Sequence, residues 1–292
     1  YLGGPPAPAF EYLAQVAPHP DAVEMALARV RQLSAHEVGH TLGLPHNYIA
    51  SAQGRESVMD YPAPLVEITP DGTLDLSNAY LRRIGEYDKH SINWLYRDFP
   101  EGTDVEAALE AIVQDGLERN LRYVGHTNNN FIGAGHQYAG VWDNGANLVD
   151  HLEVELRVRE IGLERFGLDM IREGEPLSNL EYVLLPLYMH HRFQLRSAVE
   201  SLGGADYRPA VKGDGQTPVT IVPGAEQRRA LEVVLRTLEP DFLALPERIV
   251  EMIPPTADRY DRGEAFPGHT ERLFNPLGAA ANCWREGTDT AP

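Results

Sequence analysis

The sequence predicts a mainly α-helical fold, and two observations lead to this prediction. Apolar residues recur at helical spacing through most of the chain, and short breaks rich in proline and glycine separate these runs. The 292 residues are 43% hydrophobic and 23% charged, which is the composition of a globular protein able to bury a sizeable core. A chain of this length is expected to form two units.

The first predicted helix covers residues 21–42. Asp21 and Glu24 follow Pro20 in the pattern of a helix cap, and apolar residues then recur at near-helical spacing. These apolar positions are Val23, Leu27, Val30, Val38 and Leu42.

Residues 43–78 are predicted as loop and turn, with a short hairpin around Asp71-Gly72. A second helix is predicted over residues 77–96, with Gly85 as a point of interruption. Its buried stripe is expected to contain Leu81, Ile84, Ile92 and Leu95. The segment Phe99-Pro100-Glu101-Gly102 is the best candidate for a domain boundary, which divides the chain into residues 1–100 and 101–292.

The rest of the chain is predicted to be helical around one strand pair. A strand pair is expected within residues 207–222, around Gly213-Asp214-Gly215. The predicted helices cover residues 103–122, 146–172, 178–202, 225–238 and 241–252.

Residues 36–46 read H-E-V-G-H-T-L-G-L-P-H and predict a zinc site. On a helix, His36 and His40 lie on one face about 6 Å apart along the axis, so both imidazoles can reach one ion. A catalytic zinc site has three protein ligands and an open position, and His46 is the expected third ligand.

The residues around the histidines suit this role. Gly43 can adopt the left-handed conformation that ends a helix, and Pro45 prevents its continuation, so His46 can turn back towards the metal. Glu37 is not needed as a ligand and is placed to act as general base on the attacking water. In an alternative class of zinc hydrolase a downstream glutamate is the third ligand, for which Glu56 and Glu67 are candidates, but His46 makes them unnecessary.

Together with the segment Ser57-Val58-Met59-Asp60-Tyr61-Pro62, this motif resembles the metzincin clan of zinc peptidases, which carry a methionine turn beneath the metal. The resemblance implies that Met59 forms the floor of the zinc site without binding the ion. It also implies that Tyr61 is a displaceable extra ligand or a donor to the transition state. The alternative is that Tyr61 has only a structural role, as a partly buried tyrosine in a turn. Asn47 differs from the residue that follows the third histidine in the best-known branches.

The chain is most similar to a large bacterial family of metzincin-type zinc metalloproteases, over most of residues 20–285. Three further segments carry this similarity: Glu86 to Tyr96, Leu187 to Arg192, and Leu245 to Pro255. The family implies the C-terminal part of a metzincin catalytic domain with an appended helical domain. It also implies one catalytic zinc ion, a protein or peptide substrate, and a secreted, periplasmic or cell-envelope location.

Two further expectations concern what this chain can do. The chain begins at Tyr1, and only 35 residues precede His36, so the substrate-pairing sheet of metzincins is expected to be missing and the chain to be a fragment with little proteolytic activity alone. The competing function is a non-catalytic, zinc-stabilised interaction module. An intact Glu37 argues against it, because a purely structural site has no need of a base.

Composition excludes several other classes. The net charge of −18 argues against binding to nucleic acid or to anionic membranes, and no apolar run approaches the roughly 18–20 residues of a membrane span. Cys283 is the only cysteine, so an internal disulfide and a cysteine-rich zinc site are excluded.

Other polar groups are predicted to be structural. Asn128-Asn129-Asn130 and Asp143-Asn144-Gly145 could hold calcium, but neither has the spacing of an EF-hand, and solvated turns are preferred. His190 and His191 lie in a helical pattern and are expected in the core or on the helix surface. His126, His136 and His151 have no ligand spacing and stay unassigned.

Overall fold

The computed structural model of the protein describes residues 22–125 and 136–254. The prediction of a mainly α-helical protein is confirmed for these residues. The helices are α1 (Ala22–Thr41), α2 (Glu86–Tyr96), α3 (Val105–Glu118), α4 (Leu148–Arg165), α5 (Leu180–Tyr188), α6 (Arg192–Val199), α7 (Gly224–Arg236), α8 (Pro240–Leu243) and α9 (Glu247–Val250). None of the helices in these two ranges is both long and apolar enough to cross a membrane.

Two short antiparallel hairpins accompany the helices. The first pairs β1 (Glu67–Ile68) with β2 (Leu74–Asp75), and the second pairs β3 (Ala205–Tyr207) with β4 (Val219–Ile221). Gly72, with φ of 78°, lies in the turn of the first hairpin, where a left-handed residue is needed. Both hairpins are close to the positions that the sequence predicts.

The described residues form two compact units. The first contains residues 22–125, 136–158 and 191–234, and the second contains residues 159–190 and 235–254. The first unit includes residue 100 and the residues on both sides of it, and the division into a catalytic-domain fragment and a family-specific helical domain stays a prediction.

Each unit has its own buried apolar clusters. In the first unit one cluster joins α4, α6 and α7 through Leu148, Leu152, Ala198 and Val233. A second cluster, Leu44, Val58 and Met59, lies beside α1. In the second unit the core is formed by Leu163, Phe166, Ile171, Leu180, Val183, Leu184 and Ile249.

Helix α2 begins nine residues later than predicted. Gly85 precedes it as the N-cap, and the Asp88 side chain accepts a hydrogen bond from the Gly85 N–H at 2.7 Å. A Cβ at Gly85 would overlap the carbonyl of Glu56, so this position requires glycine for steric reasons. The predicted buried stripe is wrong in part: Ile92 and Leu81 pack against the cluster beside α1, whereas Ile84 and Leu95 are exposed.

Helix α1 has the predicted bounds, but its apolar residues do not form its buried side. The apolar positions that predict the helix are all exposed, with Val23 at 64% and Val30 at 60%. The buried side consists of Met25, Ala28, Gln32, His36 and Gly39, of which only Met25 has a large apolar side chain. The face of α1 that carries the first histidine is therefore the packed face.

The single helix predicted over residues 178–202 is wrong. It is replaced by α5 and α6, and the helical pattern is interrupted between Tyr188 and Arg192. His191 is buried, as expected for a core role. The predicted helix over residues 241–252 is likewise divided into α8 and α9, because Pro246 precedes α9 in an extended conformation.

Candidate metal centre

His36, His40 and His46 converge on one point. One ring nitrogen from each histidine lies within 4.8 Å of the other two, and among the described residues this is the group of histidines, cysteines and carboxylates arranged to hold a metal ion. The two helical histidines come from adjacent turns of α1. Gly43 has the predicted left-handed φ, at 90°, and brings the chain back to His46.

The second nitrogen of each imidazole has a partner of its own. The Nδ1 atoms of His36 and His40 lie 2.8 Å from the carbonyl oxygens of Val58 and Leu44 respectively. A carbonyl oxygen only accepts, so each Nδ1 carries the hydrogen and each Nε2 offers a lone pair. Such contacts fix the tautomer and the orientation of metal-binding histidines.

The facing nitrogens of His40 and His46 fit a metal ion. Their Nε2 atoms are 3.1 Å apart, close to the separation of about 3.3 Å that two imidazoles have on a tetrahedral zinc. The Nε2 lone pair of His40 points into this gap, so the two nitrogens can face one cation. Burial also lowers the pKa of His36, which favours the neutral imidazole that a metal needs.

Tyr48 is the partner of the second ring nitrogen of His46. Its hydroxyl lies 3.2 Å from Nδ1 of His46, and the residue is only 1% exposed. Sequence reasoning missed this tyrosine, although its position two residues after a ligand is a signal that could have been used.

Glu37 and Tyr61 lie on the accessible side of the histidines. Glu37 is exposed, and its charge acts on both the His36 imidazole and the Tyr61 phenol. The Tyr61 ring is centred 4.4 Å from that of His46 and 5.4 Å from that of His36. Partial burial, and then the charge of Glu37, raise the pKa of Tyr61, so the phenol keeps its proton at neutral pH and can donate it in a hydrogen bond.

Met59 is fully buried beneath α1. Its sulfur faces Gly39, one turn from His36, and a Cβ at position 39 would overlap that sulfur atom. Met59 therefore packs directly against the helix that carries two of the histidines. The resemblance to a methionine turn implies this position.

We expect Gly39→Ala to destabilise the protein by about 1–2 kcal/mol, although alanine is normally favoured over glycine within a helix. The new methyl group must displace either the Met59 sulfur or α1, because it would overlap this sulfur and Met59 is fully buried. Thermal unfolding and zinc affinity by chelator competition measure the two effects. Val38→Ala, at an exposed neighbouring position, is the control, and equal stability of the two variants would contradict the expected overlap.

Asp88 holds the methionine turn in place. Its carboxylate accepts hydrogen bonds from the Ser57 hydroxyl at 2.6 Å, the Val58 N–H at 2.8 Å and the Gly85 N–H at 2.7 Å. Since the Val58 carbonyl in turn faces His36, Asp88 is connected to the first histidine through one residue. The sequence contains no local signal for this role, because Asp88 lies 31 residues from Ser57.

Asn47 joins the metal centre to a distant segment. Its side chain donates to the Arg122 carbonyl at 2.9 Å and accepts from the Val124 N–H at 3.0 Å, while its own N–H donates to the Met59 carbonyl at 2.9 Å. This unusual residue after His46 is therefore a buried connector with all its polar groups in use.

Asp60 and Asp143 form a buried pair of carboxyl groups beside the site. Ser51 bridges them, because its N–H donates to Asp60 at 2.9 Å and its hydroxyl donates to Asp143 at 2.9 Å. The predicted solvated turn at Asp143-Asn144 is wrong, since both residues are buried. The other proposed turn, Asn128-Asn129-Asn130, lies outside the described residues, and a calcium site stays untested.

We expect this carboxyl pair to make the stability depend on pH. Burial raises the pKa of Asp143 to about 6, so folding favours its neutral form. The resulting stabilisation is present below the ordinary pKa near 3.8 and is lost as the pH rises through about 6. Burial, and then the charge of Asp143, also raise the pKa of Asp60. Asp143→Asn should therefore reduce the loss of stability between pH 4 and 8, by on the order of 2 kcal/mol in denaturant unfolding, and leave the part that belongs to Asp60.

The exposed Asp150 is a matched control for the pH experiment, because its side chain is 67% accessible. Asp150→Asn should keep the pH profile of the unchanged protein. An unchanged profile in Asp143→Asn would show that Asp143 does not titrate in this range.

The alternative third ligands lie elsewhere. The Glu56 carboxylate accepts from the Glu86 N–H at 2.9 Å, and the Glu67 carboxylate accepts from the Asn78 side chain at 3.1 Å. Two of the unassigned histidines have structural partners: His136 contacts the Tyr207 carbonyl at 3.1 Å, and His151 contacts Glu155 at 3.1 Å. His126 lies outside the described residues.

Three histidines around one point, above a buried methionine turn, define a protein of the metzincin class. A family model described as Met-zincin matches residues 18–282, and the chain belongs to this family. The predicted resemblance is thereby confirmed. Neither a curated protein nor a solved structure matches the chain.

Proposed function

We propose that the protein is a zinc-dependent metalloendopeptidase that hydrolyses peptide bonds in a protein or peptide substrate. The convergence of His36, His40 and His46 within 4.8 Å is the observation that carries this proposal. Membership of the Met-zincin family supports the same conclusion independently.

The donor set fits zinc. His36, His40 and His46 would hold the ion, and three histidines are a protein ligand set found at catalytic zinc sites. When bound, zinc supplies Lewis-acid polarisation of the substrate carbonyl and lowers the pKa of a coordinated water. The exposed Glu37 borders the accessible side of these histidines, whereas Met59 closes the buried side.

Glu37 acts as the general base and then as the general acid. Its carboxylate takes a proton from the attacking water and returns it to the nitrogen of the leaving amine. Glu37 is exposed and belongs to the same helical turn as His36. Its side chain can therefore rotate from the attacking water to the leaving nitrogen without a movement of α1.

Tyr61 donates a hydrogen bond to the oxygen anion that develops on the substrate carbonyl. Its ring lies directly beside His36 and His46, and its raised pKa keeps the hydroxyl protonated. A donor placed in this way is most valuable when the negative charge is largest, so it favours the transition state over the bound substrate.

By its family the protein is proposed to act outside the cytoplasm of a bacterium, in a secreted, periplasmic or cell-envelope location.

Zinc content tests the proposal. The purified full-length protein should contain one zinc ion per chain, and a chelator should remove both the ion and the cleavage of an unstructured protein substrate. His46→Ala should weaken zinc binding strongly, whereas the control Glu67→Ala should not, because Glu67 is bonded to Asn78 in the hairpin of β1 and β2. Cleavage that persists without zinc would refute the proposal.

A further inference from the structure

The loop that follows residue 136 places a tryptophan beside Tyr61. The backbone N–H of Trp142 donates to the Tyr61 carbonyl at 2.8 Å. The two rings are nearly parallel, at 14°, with their centres 6.3 Å apart. The Trp142 ring also lies beside the ring of Phe193, with the two ring centres 4.7 Å apart. We name Tyr61, Trp142 and Phe193 the aromatic ledge.

The backbone at Trp142 is strained. Its φ of 61° is left-handed, a conformation that costs a residue with a bulky side chain about 1–2 kcal/mol and that glycine adopts freely. The hydrogen bond to Tyr61 and the buried neighbour Asp143 hold this conformation. Glycine would adopt this backbone conformation without that cost, so the presence of tryptophan points to a role for the indole ring.

Part of the indole ring is accessible to a ligand. Trp142 and Tyr61 are both partly exposed, although the neighbouring residues Ala139, Asp143 and Asn144 are buried. The Tyr61 ring lies beside the rings of His46 and His36, and the rings of Trp142 and Phe193 extend this aromatic surface. A side chain next to the reacting peptide bond can therefore contact it.

We propose that Trp142 is a substrate-positioning residue, and that the aromatic ledge takes an aromatic or large apolar side chain of the peptide next to the scissile bond. This inference rests on the proposed peptidase function and specifies its substrate class. Aromatic surface recognises such side chains through burial of apolar area and through ring stacking. The same residue holds the Tyr61 backbone, so the position of the substrate and the position of the proposed oxyanion donor depend on one loop.

A binding experiment tests the ledge without turnover. Zinc-loaded Glu37→Gln protein is titrated with a series of acetylated peptide amides of alanine and glycine in which a single phenylalanine occupies each position in turn. One position should bind about threefold to tenfold more tightly with phenylalanine than with alanine. Adding Trp142→Gly should reduce this preference to within about twofold, because it removes the ring while relieving the backbone strain.

Trp94→Phe is the matched control, because Trp94 is also partly exposed but lies on α2, away from the ledge. This variant should keep the preference for phenylalanine. Absence of the preference in the Glu37→Gln protein, or its persistence after Trp142→Gly, would overturn the role of Trp142.

A kinetic experiment separates positioning from stability and from the peptidase proposal. With the phenylalanine peptide, Trp142→Gly should raise KM about threefold to tenfold and change kcat much less, whereas a merely structural defect would lower the active fraction and therefore kcat. An unchanged KM would also count against the ledge. If the zinc-loaded protein binds phenylalanine peptides through Trp142 but never cleaves them, the peptidase proposal fails while the ledge stands.

Discussion

Replacing Glu37 by glutamine is expected to leave zinc bound and to lower peptide cleavage by about 10²–10⁴-fold. Glutamine has nearly the same size but cannot take a proton from water. The three histidines do not depend on Glu37 for their orientation, because their Nδ1 atoms contact Val58, Leu44 and Tyr48. Metal content and the rate of cleavage of a quenched fluorescent peptide, measured on the same sample, check both parts of this result.

Glu24→Gln is the matched control, because Glu24 is an exposed glutamate on the same helix. It should keep both zinc and activity. If Glu37→Gln binds zinc and cleaves as fast as the unchanged protein, Glu37 is not the base. If neither the unchanged protein nor Glu24→Gln cleaves any peptide although both bind zinc, the non-catalytic, zinc-stabilised interaction module becomes the better explanation.

Replacing Asp88 by alanine is expected to cost about 3–5 kcal/mol of stability, because three donors lose their acceptor together. Asp88 is 2% exposed, so water cannot readily replace the carboxylate. The Val58 carbonyl, which orients His36, belongs to the turn that Asp88 holds. We therefore expect a loss of zinc affinity in addition to a lower midpoint in urea unfolding.

The neighbouring helix supplies a control for this variant. Asp115 on α3 is 57% exposed and pairs with Arg119 at 3.2 Å, and Asp115→Ala should change stability by less than about 1 kcal/mol. Comparable effects of the two substitutions would mean that the methionine turn is held by its apolar packing and not by Asp88.

The parts of the site that were predictable are those set by local geometry. The positions of His36 and His40 follow from the helical repeat, and the return of the chain to His46 follows from the left-handed conformation that Gly43 adopts at a φ of 90°. These arguments need only neighbouring residues. The position of Met59 against α1 needed the family resemblance, because spacing alone does not indicate contact.

The parts that were missed depend on residues far apart in the sequence. Asp88 acts on Ser57 and Val58, and Trp142 acts on Tyr61, yet no periodic pattern links these positions. The same limit explains the errors in the fold. Apolar spacing predicted a helix before Gly85, whereas close contact of Gly85 with the Glu56 carbonyl favours a turn there.

The connector Asn47 has a consequence for where the protein can be divided. Its amide bonds two backbone groups of the segment from Arg122 to Val124, and Tyr48 adds a third bond by donating its N–H to the Val124 carbonyl at 2.9 Å. The loop that presents His46 is thus paired with backbone more than 70 residues later, much as an edge strand is paired with its neighbour. We therefore expect a piece of chain that ends near residue 100 to lose these three bonds and to hold His46 less firmly than a piece that reaches Val124.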